Sequence, residues 1–321
     1  MPDKLYKYCR FSVNSLRAIT EAEVYYAEPR TFNDPLDCDP SLHIDIDRKH
    51  LERLLYRMLK AHLDEDKAKA RMYGCRRSIG EYGDYRVIDS EAERQLMSQL
   101  DAHIRAEMKR EFGNDGVLSL SATWRSVLMW SHYADEHRGL CIEYDTSEQP
   151  HPRLQPVDYH APRAVKASDL YRWKVRDDEV SKNQVLKTYF YAKSSEWRYE
   201  REWRDISEKS GARDLPFSIS AILFGYRCDD SVITSIVKLL NDKPDIKLWS
   251  VEPKEQNFKL HRRLVDRDEI EAMGVRSPPH HFLQDLDDLV ADFEEVVDNA
   301  STDQRTAVDG VAYPSENSAK P

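Results

Sequence analysis

Residues 117–144 read VLSLSATWRSVLMWSHYADEHRGLCIEY. Val117 to Ala122 carries a strand signal, Ser126 to His137 reads as a helix, and Gly139 to Tyr144 is an apolar strand between turn residues. The stretch predicts a β-α-β unit, so sheet and helix alternate at the centre of the chain. The N-terminal side repeats the pattern: Lys4 to Phe11 reads as a strand, a short helix follows with Ser12 or Asn14 as its cap, and Val24 to Ala27 is a second strand. Between the two units, Phe32-Asn33-Asp34-Pro35-Leu36-Asp37 predicts a structured turn, because Asn and Asp ahead of Pro favour one and Pro fixes φ.

Residues 47–112 change character. Leu51, Leu54, Leu55, Met58 and Leu59 fall on one helical stripe, and Ala92, Leu96, Leu100, Ile104, Met108 and Phe112 recur at every fourth position. Two or three charged helices are expected here, separated at Gly74 to Gly83. Downstream, four prolines between Gln149 and Pro162 leave room only for short edge strands such as Val157 to Tyr159. A helix over 178–193, a buried strand over 217–225, a helix over 229–240 and strands over 246–252 and 258–265 complete the pattern.

The fold class is therefore α+β: a mixed-sheet core with a helical insert at about 47–112, all within one domain over 1–276. An acidic amphipathic helix is expected over 280–298, where Phe282, Leu286, Leu289, Phe293 and Val296 keep a three-four spacing that suits partner docking through 282–297. Ser, Thr, Asp, Pro and Gly dominate 299–321, which reads as a disordered tail. His280 and His281, after Pro278-Pro279, read as hinge residues.

No run approaches the roughly 20 apolar residues of a membrane span, and the opening segment has no apolar core ahead of a small-residue cleavage site. A cytoplasmic protein with no membrane partner is expected. Five scattered cysteines without a C-x-x-C pair fit reduced thiols rather than a zinc site, so no metal is expected. Of the net charge of −10, Asp285 to Pro321 contributes −8 through ten Asp or Glu against Arg305 and Lys320. The body is nearly neutral, which excludes a basic face over the whole molecule while leaving room for local patches.

Four segments together resemble the family called domain of unknown function 2971: Leu5-Tyr6-Lys7-Tyr8; Phe32-Asn33-Asp34-Pro35; Met129-Trp130-Ser131-His132-Tyr133-Ala134 with Gly139; and Trp197-x-x-Glu200-x-Glu202-Trp203-Arg204. The resemblance spans about Leu5 to Val265. It supports the fold and leaves the activity open.

Glu200 and Glu202, one residue apart, would project to the same side of an extended segment beside Trp197 and Trp203, an arrangement suited to acid and base work. The plainer reading pairs Glu200 with Arg204 and Glu202 with Arg201 or Arg198. The order of Arg10 or Lys7 on the first strand, Ser119 and Ser121 on a central strand, and Glu200 and Glu202 downstream also resembles ADP-ribosyltransferases. That resemblance implies NAD as substrate. The first-strand cation would grip it, the serines would position its ribose, and Glu202 would hold the ribose 2′-hydroxyl while Glu200 aligns a macromolecular acceptor. His132 and Tyr133 are pocket walls in this reading, the aromatic ring stacking on nicotinamide. His132-x-x-x-Glu136 is not the H-E-x-x-H metal pattern. Two alternatives stand beside the enzyme: a protein-interaction module, and a nuclease in which Asp34, Asp37, Glu200 and Glu202 share a divalent ion.

Overall fold

The computed structural model describes residues 1–77, 90–147 and 153–272. It divides into two compact units, Met1–Val265 and Asp266–Pro321. In the first unit, β1 (Lys4–Cys9) leads into α1 (Val13–Thr20), whose start is set by a capping box between Ser12 and Ser15. β2 (Glu23–Tyr26) and β3 (Ser41–His43) precede three helices, α2 (Arg48–Lys60), α3 (Glu65–Arg77) and α4 (Ser90–Phe112). The chain then forms β4 (Gly116–Ser121), α5 (Val127–Tyr133), β5 (Leu140–Asp145), β6 (Gln155–Pro156), β7 (Ala164–Lys166), α6 (Ala167–Arg176) and α7 (Glu179–Tyr191). After a three-ten turn at Ser195–Glu200 come β8 (Glu202–Ser207), β9 (Gly211–Asp214), β10 (Ser218–Phe224), α8 (Asp230–Leu239), β11 (Lys247–Pro253) and β12 (Leu260–Leu264). The described part of the second unit holds α9 (Arg267–Ala272). The expected docking helix over 282–297, the hinge histidines and the tail lie outside the described residues.

The fold is α+β with a mixed sheet. Eight strands run in the order β12-β11-β10-β5-β1-β4-β8-β6, and β2-β9 and β3-β7 form two small ribbons. The two predicted β-α-β units need correcting. β2 leaves the main sheet to pair with β9, and β4 and β5 both flank β1 as antiparallel neighbours. In the main sheet the parallel pair is β10–β11, joined through α8. Gly74 also departs from expectation: it lies inside α3 rather than between helices. The helix expected to reach His137 stops at Tyr133, because Asp135, Glu136 and His137 all adopt positive φ.

The central sheet is two half-sheets meeting at a narrow seam. β1 pairs with β5 at six positions and β4 with β8 at six, whereas β1 and β4 share the single pair Tyr6–Ser121. Beyond it the strands are bridged by a side chain, Lys7 Nζ donating to the Ser119 carbonyl oxygen at 3.0 Å. Residues opposite one another in antiparallel strands share a face, so Tyr6, Ser121 and Glu202 line up on one side, with Ser119 and Arg204 two positions along.

On that face the β1 half is covered by α5. Trp130 is fully buried, meets Tyr8 edge-to-face at 5.2 Å and donates its indole N–H to the Trp124 carbonyl at 2.7 Å. The β4 half lies in another core, with Val117 packed among Phe112 of α4, Phe190 of α7 and the leucines of α2. Full burial of each such leucine stabilises by about 1.5–3 kcal/mol. No helix among the described residues is long and apolar enough to cross a membrane.

Candidate functional site

A cavity of about 400 Å³ opens over the seam. Its floor is β1, β4 and the start of β8, supplying Lys7, Ser119, Ser121, Glu202 and Arg204. Its walls are α5, through His132 and Tyr133, and the segment after α7, through Lys193 and Glu200. Asn33 and Asp37 of the Phe32–Asp37 loop also line it.

Its deepest feature is a closed ionic lattice. Arg204, without exposed surface, donates to both oxygens of Glu202 at 2.7 and 2.9 Å, to both oxygens of Asp37 at 2.9 and 2.6 Å, and to the Phe190 carbonyl at 2.7 Å. All five guanidinium N–H groups are therefore engaged. Lys193 Nζ donates to Glu200 at 2.6 Å and to Glu202 at 2.9 Å, and it lies 3.2 Å from Asp37 as an ion pair. Burial alone would raise the Glu202 pKa, but Arg204 and Lys193 outweigh it and hold the carboxyl well below the usual range. Burial likewise pulls Lys193 down, and Glu202 and Asp37 reverse the effect, so its ammonium stays charged.

Glu200 is tuned in the opposite direction. Burial raises its pKa more than Lys193 lowers it, and Glu202 adds to the rise. One oxygen faces Lys193, while the other accepts from Tyr133 Oη at 2.6 Å. Tyr133 Oη in turn accepts from Asn33 Nδ2 at 3.3 Å. Burial and then the Glu200 bond push the phenol above its ordinary pKa. The cavity thus juxtaposes a locked, ionised carboxylate and a proton-avid one.

The backbone explains how neighbouring carboxylates come to differ. Glu200 ends the three-ten turn, Arg201 takes a left-handed conformation (φ 48°, ψ 49°), and Glu202 opens β8. The segment is therefore not extended, as the alternation argument assumed, and the reversal at Arg201 is what turns both side chains inward. Ser121 Oγ pins this turn by donating to the Glu200 carbonyl at 2.6 Å. The α5 wall is held as firmly: the Gly139 N–H donates to the Ala134 carbonyl, and a Cβ on Gly139 would come within 2.3 Å of the Cys9 carbonyl oxygen.

Residues 129–204 match the family model described as a protein of unknown function, DUF2971. No curated protein and no solved structure matches the chain. The matched segment begins at Met129 and ends at Arg204, both lining residues of the cavity, and between them it supplies His132, Tyr133, Lys193, Glu200 and Glu202. The first-strand and β4 residues come from the chain ahead of it.

The cavity gathers Lys7, Ser119, Ser121, His132, Tyr133, Glu200 and Glu202. Arg10 is not among them: it lies exposed beyond the end of β1 and lines a neighbouring cavity of about 510 Å³, which shares Lys7, His132 and Tyr133 with the first. Lys7 is the first-strand cation of the main cavity. Burial lowers its pKa, and it has no carboxylate within 4.0 Å among the described residues. Ser121 serves the backbone, while Ser119 lines the cavity from the position opposite Arg204 and accepts from Lys7 through its carbonyl oxygen. His132 Nδ1 meets Tyr199 Oη at 3.0 Å near the rim.

The plain ion-pair assignments also change, since Arg204 pairs with Glu202 rather than Glu200. A shared divalent ion does not suit this donor set. Asp34 accepts from the Trp197 indole at 2.8 Å, and the point where Asp37, Glu200 and Glu202 converge is taken by the Lys193 ammonium. Lys193 escaped the sequence reading because nothing marks a lysine two residues past a helix as buried. Arg204 carried a signal, its two-residue spacing from Glu202 in a strand, and the structure uses that spacing for a bidentate pair.

Proposed function

We propose that the cavity is the active site of an NAD-using enzyme that breaks the nicotinamide–ribose bond and passes ADP-ribose to a macromolecular acceptor or to water. The observation that supports this reading is the pairing of Glu200, proton-avid and hydrogen-bonded to Tyr133, with the locked anion of Glu202 in one cavity that Lys7 also lines. Losing nicotinamide builds positive charge on the ribose, and a preorganised carboxylate stabilises it.

In this proposal the working role belongs to Glu200 rather than Glu202. Glu202 has both oxygens held by Arg204 and one also by Lys193, so it has little left to give a ribose hydroxyl. Glu200 can exchange its Tyr133 bond for a substrate hydroxyl and accept a proton from the acceptor. Tyr133 and His132 flank the base, and Lys7 faces the anionic part of the cofactor. Free thiols at Cys9, Cys38, Cys141 and Cys228 suit the cytoplasmic setting of this proposal.

The test is incubation of the full chain with NAD labelled separately in nicotinamide and adenylate, with and without cell extract. Nicotinamide release is expected, and Glu200→Gln should lower it by roughly 10²-fold or more without unfolding the protein. Intact NAD under both conditions would remove the proposal, as would full turnover by a folded Glu200→Gln protein.

A further inference from the structure

The net charge of −10 conceals a local reversal. Residues 48–76, covering α2 and most of α3, carry nine Lys or Arg against four Asp or Glu, a balance of +5. The inward faces of both helices are apolar, with Leu51, Leu54, Leu55 and Met58 of α2 and Ala68 and Cys75 of α3 in the core. The basic residues therefore stand outward, and part of them lines a groove of about 590 Å³ between the two helices.

The two sides of the groove follow one helical rule. On α2 it is lined by Lys49, Glu52, Arg53 and Tyr56, at i, i+3, i+4 and i+7. On α3 it is lined by Lys69, Met72, Tyr73 and Arg76, at the same spacing. Arg76 crosses to Glu52 at 2.6 Å, and Lys69 is held by Glu65 at 2.6 Å. Lys49 and Arg53 are exposed and have no carboxylate within 4.0 Å among the described residues. Tyr73 is 65% exposed, an unusual position for a tyrosine with apolar surface to bury.

We infer that this groove binds single-stranded nucleic acid, its cations following the phosphodiester backbone while Tyr73 and Tyr56 receive unstacked bases. Charge complementarity selects a polyanion, and the aromatic strip selects among polyanions. An acidic polypeptide would use the cations but leave the rings uncovered. A duplex keeps its bases stacked out of their reach. The groove belongs to the helical insert and shares no lining residue with the seam cavity, so the inference stands independently of any reaction on NAD.

The experiment is fluorescence anisotropy of the full chain with a labelled single-stranded oligothymidylate, titrated at several salt concentrations, with a DNA duplex and polyglutamate as competitors. Binding at low salt is expected, with each groove cation that meets a phosphate contributing about 0.7 to the slope of log K against log salt. The double variant Lys49→Glu/Arg53→Glu should weaken binding roughly tenfold or more and flatten that slope. Tyr73→Ala should weaken it roughly five- to hundredfold and leave the slope unchanged. Both changes are on exposed side chains, and a Lys49→Gln/Arg53→Gln pair repeats the test should the reversal impair folding. Absence of binding at low salt, indifference to all these changes, or equal competition by polyglutamate would overturn the inference.

Discussion

The seam cavity and the outer groove of α2 and α3 both concentrate charge, and they use it in opposite ways. In the cavity, the side chains of Asp37, Glu200, Glu202, Lys193 and Arg204 are all deeply buried, every N–H of Arg204 has an acceptor, and Lys193 lies within 3.2 Å of three carboxylates. Such a lattice fixes positions, because moving one member strands the others in a low-dielectric interior. In the groove, Lys49 and Arg53 are exposed and have no carboxylate partner among the described residues, so their charge costs little to keep and can meet a partner. Buried charge here serves geometry and exposed charge serves recognition.

Breaking the lattice should produce the largest effect. Arg204→Met leaves Glu202 and Asp37 buried without their principal partner and is expected to cost about 3–5 kcal/mol, read as a lowered urea midpoint, with failure to accumulate folded protein as the extreme. The two glutamates should then separate. Glu202→Gln removes a carboxylate that the fold holds ionised and should cost about 3 kcal/mol. Glu200→Gln removes one whose charge burial disfavours, so the cost should stay within about 1 kcal/mol while the proposed NAD reaction is lost. Equal destabilisation by both would erase the distinction between them.

The same distinction has a pH signature. The depressed pKa of Glu202 contributes stability that is present above the ordinary carboxylate value of about 4.3 and is lost as pH falls through the folded value. Glu200 acts oppositely. Its raised pKa contributes stability below the ordinary value, and that contribution disappears as pH rises through the folded value. Urea midpoints should therefore fall on acidification below about pH 4.3 in both the parent and Glu200→Gln, while in the window just above that value acidification should stabilise the parent relative to Glu200→Gln, which lacks the proton uptake at residue 200. The smallest effect belongs to the groove: Lys49→Ala and Arg53→Ala should each change stability by no more than about 0.5 kcal/mol in thermal melts.

Much of the architecture was open to periodicity. Leu51, Leu54, Leu55, Met58 and Leu59 announced α2, and Phe217 to Gly225 announced β10, because burial of one stripe or one short run leaves a local mark. The strand order did not follow, since pairing β1 with both β4 and β5 depends on contacts far apart in the chain. At the site, Glu200, Glu202 and Tyr133 stood out in sequence through their motifs. Asp37 was visible as the end of a turn and as a metal ligand, and Lys193 was invisible, because a lysine read alone looks solvated. The three carboxylates that hold it come from two distant segments.

The amino-acid sequence determined the α+β class, the basic outer faces of the insert helices and the closeness of two glutamates near β8, all of which follow from spacing along a single element. Tertiary structure decided the rest. It opened the seam at Tyr6–Ser121, brought Arg204 and Lys193 under Glu202, and left Glu200 as the carboxylate whose proton is favoured. The reason is that a pKa or a cavity is a property of what surrounds a group in space, and those surroundings are assembled here from strands and loops up to 167 positions apart.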